Sequence, residues 1–198
     1  HVEAAGTVLA SDVGTGYTDA DRGRPRATAL AAAVRRIAPS ARTGPLPQRV
    51  RPDVAVLADA LVPDARRVRA LHDAGVAHLP VRVRDGAGVV GPLVLPARSP
   101  CLTCVDLHRG DRDHAWPRIA ALLQGRPGSA DPACVTATAA LATAQALAAL
   151  DLGTATRPAA LGATLTIGAD TASVTRRAWP PHARCRCGNA RPRPGPPP

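Results

Sequence analysis

Two closely spaced cysteine pairs constrain this chain more than anything else in it. Cys101 and Cys104 stand in "SPCLTCVDLH", Cys185 and Cys187 in "HARCRCGN", and together they take four of only five cysteines. Four thiolates brought to one point are the ligand set of tetrahedral zinc. A C-x-x-C turn can offer both sulfurs to one ion while its amides donate to them. In C-x-C the i and i+2 side chains of an extended segment share one side, and Gly188 lets the chain curl afterwards. A fold that satisfies this spacing must return its tail to its middle. That cross-link closes a long loop and removes much entropy from the unfolded chain. A site with four protein sulfurs is closed, hence structural. The alternatives are free thiols or a redox pair; a redox C-x-x-C needs an exposed helix N-terminus and leaves Cys185 and Cys187 unexplained. His108 and His182 are substitutes should one sulfur not reach. Cys134, in "DPACVTATAA", stands apart and reads as a small buried hydrophobe.

A staple matters here because the core is weak. The 198 residues include no Phe and no Met, and the aromatic residues are Trp116, Trp179 and Tyr17. The interior is therefore expected to be Ala, Val and Leu, which bury little area per residue. The net charge of +10 comes entirely from Arg, with no Lys in the chain. These arginines alternate with Asp, as in Asp64 to Arg69 and Arg109 to Asp113, and no aromatic residues interleave to stack bases. A nucleic-acid partner is not expected. Within "DLHRGDRDH", His108, Asp111, Asp113 and His114 read as salt-bridged surface rather than as a second metal site.

No charged start followed by a short apolar core marks a signal peptide. The long apolar stretch Ala133 to Leu150 is mostly Ala and Thr, holds Gln145, and is bracketed by Asp131 and Asp151. Ala adds little transfer energy, so a buried helix is expected rather than a membrane span. The compartment implied is a reducing cytoplasm, where paired cysteines bind metal. The chain opens at His1 in a strand-like run, "HVEAAGTVLA", and is expected to lack an N-terminal portion.

Residues 25 to 38 place Ala27, Leu30, Ala31, Val34 and Ile37 at helical spacing, with Pro25 in the first turn and Pro39 as the stop. "DVAVLADA" reads as a buried strand, and "PDARRVRALHDAGV" as a helix ending near Gly75. "HLPVRVRD" alternates Leu79, Val81 and Val83 with polar positions; a hairpin at Gly86 to Gly88 leads to "VVGPLVLP". Helices are expected over 115–124 and 133–150, and two short strands around Gly168-Ala169-Asp170. The cadence is that of an α/β domain whose parallel sheet continues into an antiparallel section. That domain is expected to run over 1–190, and the Pro-rich end, 191–198, to be a disordered tail.

This order, with "VRVRDGAGVVGPLVLPARSPCLTCVDLHRGDRDHAWPRIAA" as its most specific stretch and a terminal cysteine pair, resembles the ThiF/MoeB family, bacterial relatives of ubiquitin-activating enzymes. Within it the chain looks most like actinobacterial cyclodehydratase or leader-peptide-binding proteins of thiazole/oxazole peptide (bacteriocin) biosynthesis. The resemblance implies a Rossmann-like fold and a zinc knuckle at Cys101 and Cys104 completed by Cys185 and Cys187. It also implies ATP and Mg²⁺ handling in active members, which adenylate the C-terminal carboxylate of a ubiquitin-like carrier protein. Arg26 stands where such members carry a Lys, and Asp59 lies near their metal-binding Asp. Gly6 falls near the position of their acidic ribose partner, and "TGYTDAD" holds no Asn-x-x-Arg. Whether the chain is an enzyme is therefore left open, with no catalytic residue assigned. Arg does not replace the Lys point charge where phosphoryl charge develops. The non-catalytic branch of the family implies a scaffold that presents a precursor or leader peptide to a YcaO-like cyclodehydratase. The helix at 133–150, apolar nearly all round, would serve a homodimer.

Overall fold

The structure, a computed structural model, describes residues 1–14, 16–58, 60–152, 157–168 and 171–187. The chain forms two compact units, His1–Pro52 and the remainder from Asp53.

The first unit holds helix α1 (Arg26–Ile37), with Pro25 at its N-cap and Arg35 and Arg36 in its last turn, where cations suit the helix dipole. No strand forms among its described residues, so the strand expected at the start of the chain is not found. Thr7 and Pro25 make an isolated bridge, and Gly6 lies at φ +77°, off the extended conformation. Two short 3₁₀ turns, Ala10–Asp12 and Asp19–Asp21, follow instead. Each is closed by its last Asp, whose carboxylate accepts an amide: Leu9 to Asp12 over 2.8 Å and Thr18 to Asp21 over 3.0 Å.

The second unit is a five-stranded sheet in the order β1-β2-β3-β4-β5, made of β1 (Val54–Leu57), β2 (Ala77–Arg84), β3 (Ala87–Val90), β4 (Ala163–Gly168) and β5 (Ser173–Ala178). Helix α2 (Ala65–Asp73), capped by the Asp64 carboxylate, crosses from β1 to its parallel neighbour β2. The remaining pairings are antiparallel. The expected change from parallel to antiparallel pairing is thus present, with a single parallel pair among the described strands. The hairpin turn is Asp85-Gly86, with φ of 51° and 77°, and Gly88 belongs to β3 rather than to the turn. Positive φ at both turn residues matches the twist of the paired strands.

Helices α3 (Leu102–Arg112), α4 (Trp116–Leu123) and α5 (Pro132–Leu150) complete the unit. α5 packs on β2 and β3. Leu79, Val90, Leu93 and Leu165 from the sheet side meet Ala142 and Ala149, giving the expected core without Phe or Met. Gly88 is required for this approach, since a Cβ there would lie 1.9 Å from Thr138 Oγ1. Gln145 is held inside because its Oε1 accepts the Ala160 amide over 2.8 Å. α5 is long and apolar enough to cross a membrane by length and composition, with 28% of its span buried in the protein. The buried helix expected here is buried along one stripe: Cys134, Thr138, Ala142, Gln145 and Ala149. Leu147 and Leu150 on the other side are exposed. Residues spaced by three and four share one helix face, and a single sheet can cover only that face.

Candidate metal centre

Cys101 is the N-cap of α3, and Cys104 lies in its first turn, so a single helical turn aims both sulfurs the same way. The approach to the turn is fixed by Ser99, whose hydroxyl accepts the Leu95 amide over 2.8 Å. From the other end of the unit, β5 leads into Trp179, buried and donating its indole N–H to Thr164 Oγ1 over 2.8 Å. Pro180 and Pro181 follow, and the His182 carbonyl accepts the Cys185 amide over 2.9 Å, turning the chain back.

The turn brings the four sulfurs together. Cys101 and Cys104 Sγ are 3.8 Å apart, Cys101 and Cys185 3.5 Å, and Cys104 and Cys187 3.6 Å. All four lie within 4.8 Å of one another, two buried and two partly exposed. These are not disulfide distances, which are about 2.05 Å. An ion roughly 2.3 Å from each sulfur of a tetrahedron sets edges of about 3.8 Å, so the donor set fits tetrahedral zinc in both chemistry and spacing.

Backbone donors already face the sulfurs. The Cys104 thiol, chiefly, with the Cys104 amide and the thiols of Cys185 and Cys187, pulls the Cys101 pKa down to about 4 against the effect of burial. Cys104 is pushed strongly up by its hydrogen bond to Cys101 and by burial, although the His182 amide opposes this. Burial raises Cys185 to about 11. Four thiols crowded together stabilise one thiolate at the expense of its neighbours. A dication in their midst favours all four as thiolates and displaces their protons.

Beside the sulfurs, His182 and His108 do something other than replace a cysteine. The His182 imidazole is 6% exposed and spans two partners: its Nε2 meets Asp111 Oδ2 at 2.8 Å and its Nδ1 accepts the Arg184 amide at 3.1 Å. The Arg184 guanidinium pairs with the other Asp111 oxygen. His108 donates from Nε2 to the Pro180 carbonyl over 3.0 Å and packs edge-on to His182 with centroids 4.6 Å apart. His108, Asp111 and His182 offer ligand atoms within 4.8 Å of each other. With both His182 nitrogens engaged and a guanidinium on the carboxylate, they form an ion-paired clamp between α3 and the cysteine turn. The expectation of salt-bridged surface at Asp111 thus acquires a buried partner. Cys134 is fully buried among α5 contacts, as expected of a small hydrophobe.

Of the residues that the family resemblance singled out for nucleotide, Arg26 lies in the first unit. Its Nη2 and Nε reach Asp12 Oδ2 at 2.6 and 3.2 Å. Asp59 lies outside the described residues, as do Gly188 and the tail 191–198.

Sequence reasoning did not find a cavity of about 540 Å³ next to the sulfurs, bounded by α2, α3, α4 and β2. Arg82, His72, Asp106 and Arg109 line it. Alternation along "HLPVRVRD" sets Arg82 on the face opposite Val81 and Val83, but nothing local announces that helices cover that face.

No protein-family model and no curated protein matches the chain. Solved structures do. E. coli MccB in complex with AMPCPP and MccA superposes with a TM-score of 0.69 at 14% identity, over 94% of this chain and 58% of that one. MccB with MccA-N7isoASN gives 0.67 at 15% identity, over 92% and 58%. A heterocyclase in complex with substrate and cofactor gives 0.53 at 15% identity, over 70% of this chain and 21% of the other. The chain therefore spans just over half the length of MccB. The likeness is one of fold, shared with MccB.

Proposed function

We propose that this chain is a zinc-stapled ThiF/MoeB-like scaffold that binds a precursor or leader peptide for a YcaO-like cyclodehydratase in a reducing cytoplasm. The observation that carries this reading is the four-sulfur tie in a fold shared with MccB bound to MccA and with a substrate-bound heterocyclase. Zinc held by these four sulfurs would supply a structural tie and would leave no open position for chemistry. The residues around it do the rest. Cys101 and Cys104 fix the start of α3, Cys185 and Cys187 return the chain to it, and the Asp111–His182 pair holds the turn in register.

The competing reading is an ATP-dependent adenylyltransferase acting on the C-terminal carboxylate of a carrier, and it takes support from the fold shared with ATP-bound MccB. One observation weighs against it. The guanidinium of Arg26 is committed to Asp12 through two of its nitrogens, so it meets a phosphate only by giving up that pair. The chain has no Lys to replace it. On the scaffold reading the exposed face of α5 packs against a second copy, giving a homodimer.

Titrating the protein with Mg-ATP, and separately with the leader peptide of a thiazole/oxazole precursor, tests the choice. The scaffold reading expects peptide binding that is independent of nucleotide. Pyrophosphate release on mixing ATP and a carrier would replace it with the adenylyltransferase reading.

A further inference from the structure

The cavity beside the sulfurs carries an inference of its own. Aliphatic side chains form about half of its walls, with Val68 from α2, Val105 from α3 and Ala120 from α4 among them. Into this lining β2 sends Arg82, which is half-buried. Among the described residues the Arg82 side chain makes no hydrogen bond, direct ion pair or ring contact, although the Asp106 carboxylate lies near enough to act on its charge. The neighbouring charges are already answered. Asp106 lies 3.8 Å from Arg109 and accepts the Trp116 indole N–H over 3.1 Å. The Arg109 guanidinium stacks 4.6 Å from the Trp116 ring centroid and 5.7 Å from that of Trp179. Burial, then the like charges of Arg109 and Arg84, lower the Arg82 pKa to about 10 against the opposing charge of Asp106, so it remains a cation at neutral pH. A second group is also unsatisfied. His72 lines the same cavity, and its Nε2 is buried with no hydrogen-bond partner.

A guanidinium withdrawn from water with no carboxylate directly paired to it is unfavourable for folding alone, whereas its planar fork is suited to donate to one. A volume of about 540 Å³ is ample for such a group and its stem. Asp106 and Asp73 also line the cavity, which favours an anion of single charge over a dianion such as phosphate. The exposed Arg69 and Arg186, on the same lining, attract negative charge towards it.

We propose that this cavity is a binding site for a single carboxylate on an aliphatic stem, with Arg82 as its counter-ion and His72 as a second polar contact. Identifying that carboxylate as an acidic side chain of a bound peptide rests on the peptide-binding reading above; the cavity and its charge do not.

The test uses the full chain and four probes: acetyl-Leu-Glu-Leu-amide, its uncharged isostere acetyl-Leu-Gln-Leu-amide, acetyl-Leu-Gln-Leu with a free carboxyl terminus, and inorganic phosphate. Titration is followed by NMR shifts and fitted to dissociation constants. The glutamate probe is expected to bind at least about tenfold tighter than its glutamine isostere, a difference of about 1.4 kcal/mol. Arg82→Met is expected to abolish that difference and to raise the melting temperature of the unliganded protein, because it removes a buried charge that has no direct ion pair. A purely structural Arg82 would instead lower the melting temperature. Ala120→Phe, which narrows the cavity without touching charge, is expected to weaken the glutamate probe as well. Equal affinity for the two isosteres, or full discrimination retained in Arg82→Met, overturns the site. Phosphate binding as tightly as the glutamate probe overturns the single-charge assignment. Preference for the free carboxyl terminus over the glutamate side chain overturns the side-chain assignment. If the isosteres are discriminated but the precursor peptide does not bind, the functional reading fails and the cavity stands. If the precursor binds and the isosteres are not discriminated, the reverse holds.

Discussion

The His182 imidazole, nearly fully buried, donates from Nε2 to Asp111 across 2.8 Å, and so ties the turn that carries Cys185 and Cys187 to the helix begun by Cys101 and Cys104. The bond joins the two halves of the sulfur site by a route that does not pass through a metal. It also explains why the two histidines near the cysteines are not ligands: one is occupied with Asp111 and Arg184, the other with a backbone carbonyl.

Breaking that tie is expected to loosen the metal without removing it. Groups that orient metal ligands from outside the coordination sphere typically change affinity by about 10- to 100-fold when mutated. Asp111→Ala should therefore speed zinc transfer to a chromogenic chelator by about tenfold while leaving one metal per chain at saturation. An unchanged transfer rate would show that the clamp is incidental.

The metal itself is expected at one zinc per chain by native mass spectrometry under reducing conditions. Cobalt in its place should give the visible spectrum of a tetrahedral thiolate site. Cys104→Ser, at a fully buried position, is expected to lose the metal and with it stabilisation on the order of 10 kcal/mol at neutral pH. Metal-free protein carrying two disulfides after reducing purification would contradict the site.

Gly88→Ala is expected to destabilise by about 1 to 3 kcal/mol, the usual range for forcing extra volume into a packed core. The added Cβ would meet Thr138 Oγ1 at 1.9 Å and Thr138 Cβ at 3.0 Å. Combining it with Thr138→Ala should recover part of the loss, since the hydroxyl and Cγ2 go but Cβ stays. Denaturant unfolding of the two single variants and the double variant measures this directly.

Acid is expected to weaken the first unit through Asp21. This carboxylate is 1% exposed and accepts the amide and hydroxyl of Thr18, and the Arg24 guanidinium lies 2.7 Å away. The Thr18 bonds, with Arg24 adding to them, hold its pKa below the ordinary 3.8. A carboxylate depressed in the fold contributes stability that is fully present above its unfolded value and lost as pH falls through the lower folded value. Stability should therefore begin to fall below 3.8, and Asp21→Asn should flatten that part of the curve while lowering stability at pH 7. Parallel curves for the two proteins below pH 4 would rule the contribution out.

Local chemistry wrote part of this protein into its sequence. Pro25 and the apolar spacing after it define α1, Asp64 and Asp131 cap α2 and α5, and Asp85-Gly86 closes the hairpin. The four cysteines could be grouped before any fold was known, because a thiolate set has few other uses than to share an ion. What the sequence left undecided were the facts that depend on which surface comes to lie over which. Period-two alternation says that Arg82 and Val81 face opposite ways, but not that α2 and α4 roof the Arg82 side into a cavity. An apolar helix such as α5 does not declare which stripe the sheet will cover. Arg26 reads as a candidate phosphate ligand until Asp12, distant in sequence, is found on its guanidinium. Side-chain periodicity is a local property and burial is not, so pairing across the chain is decided only when the tertiary structure brings the partners together.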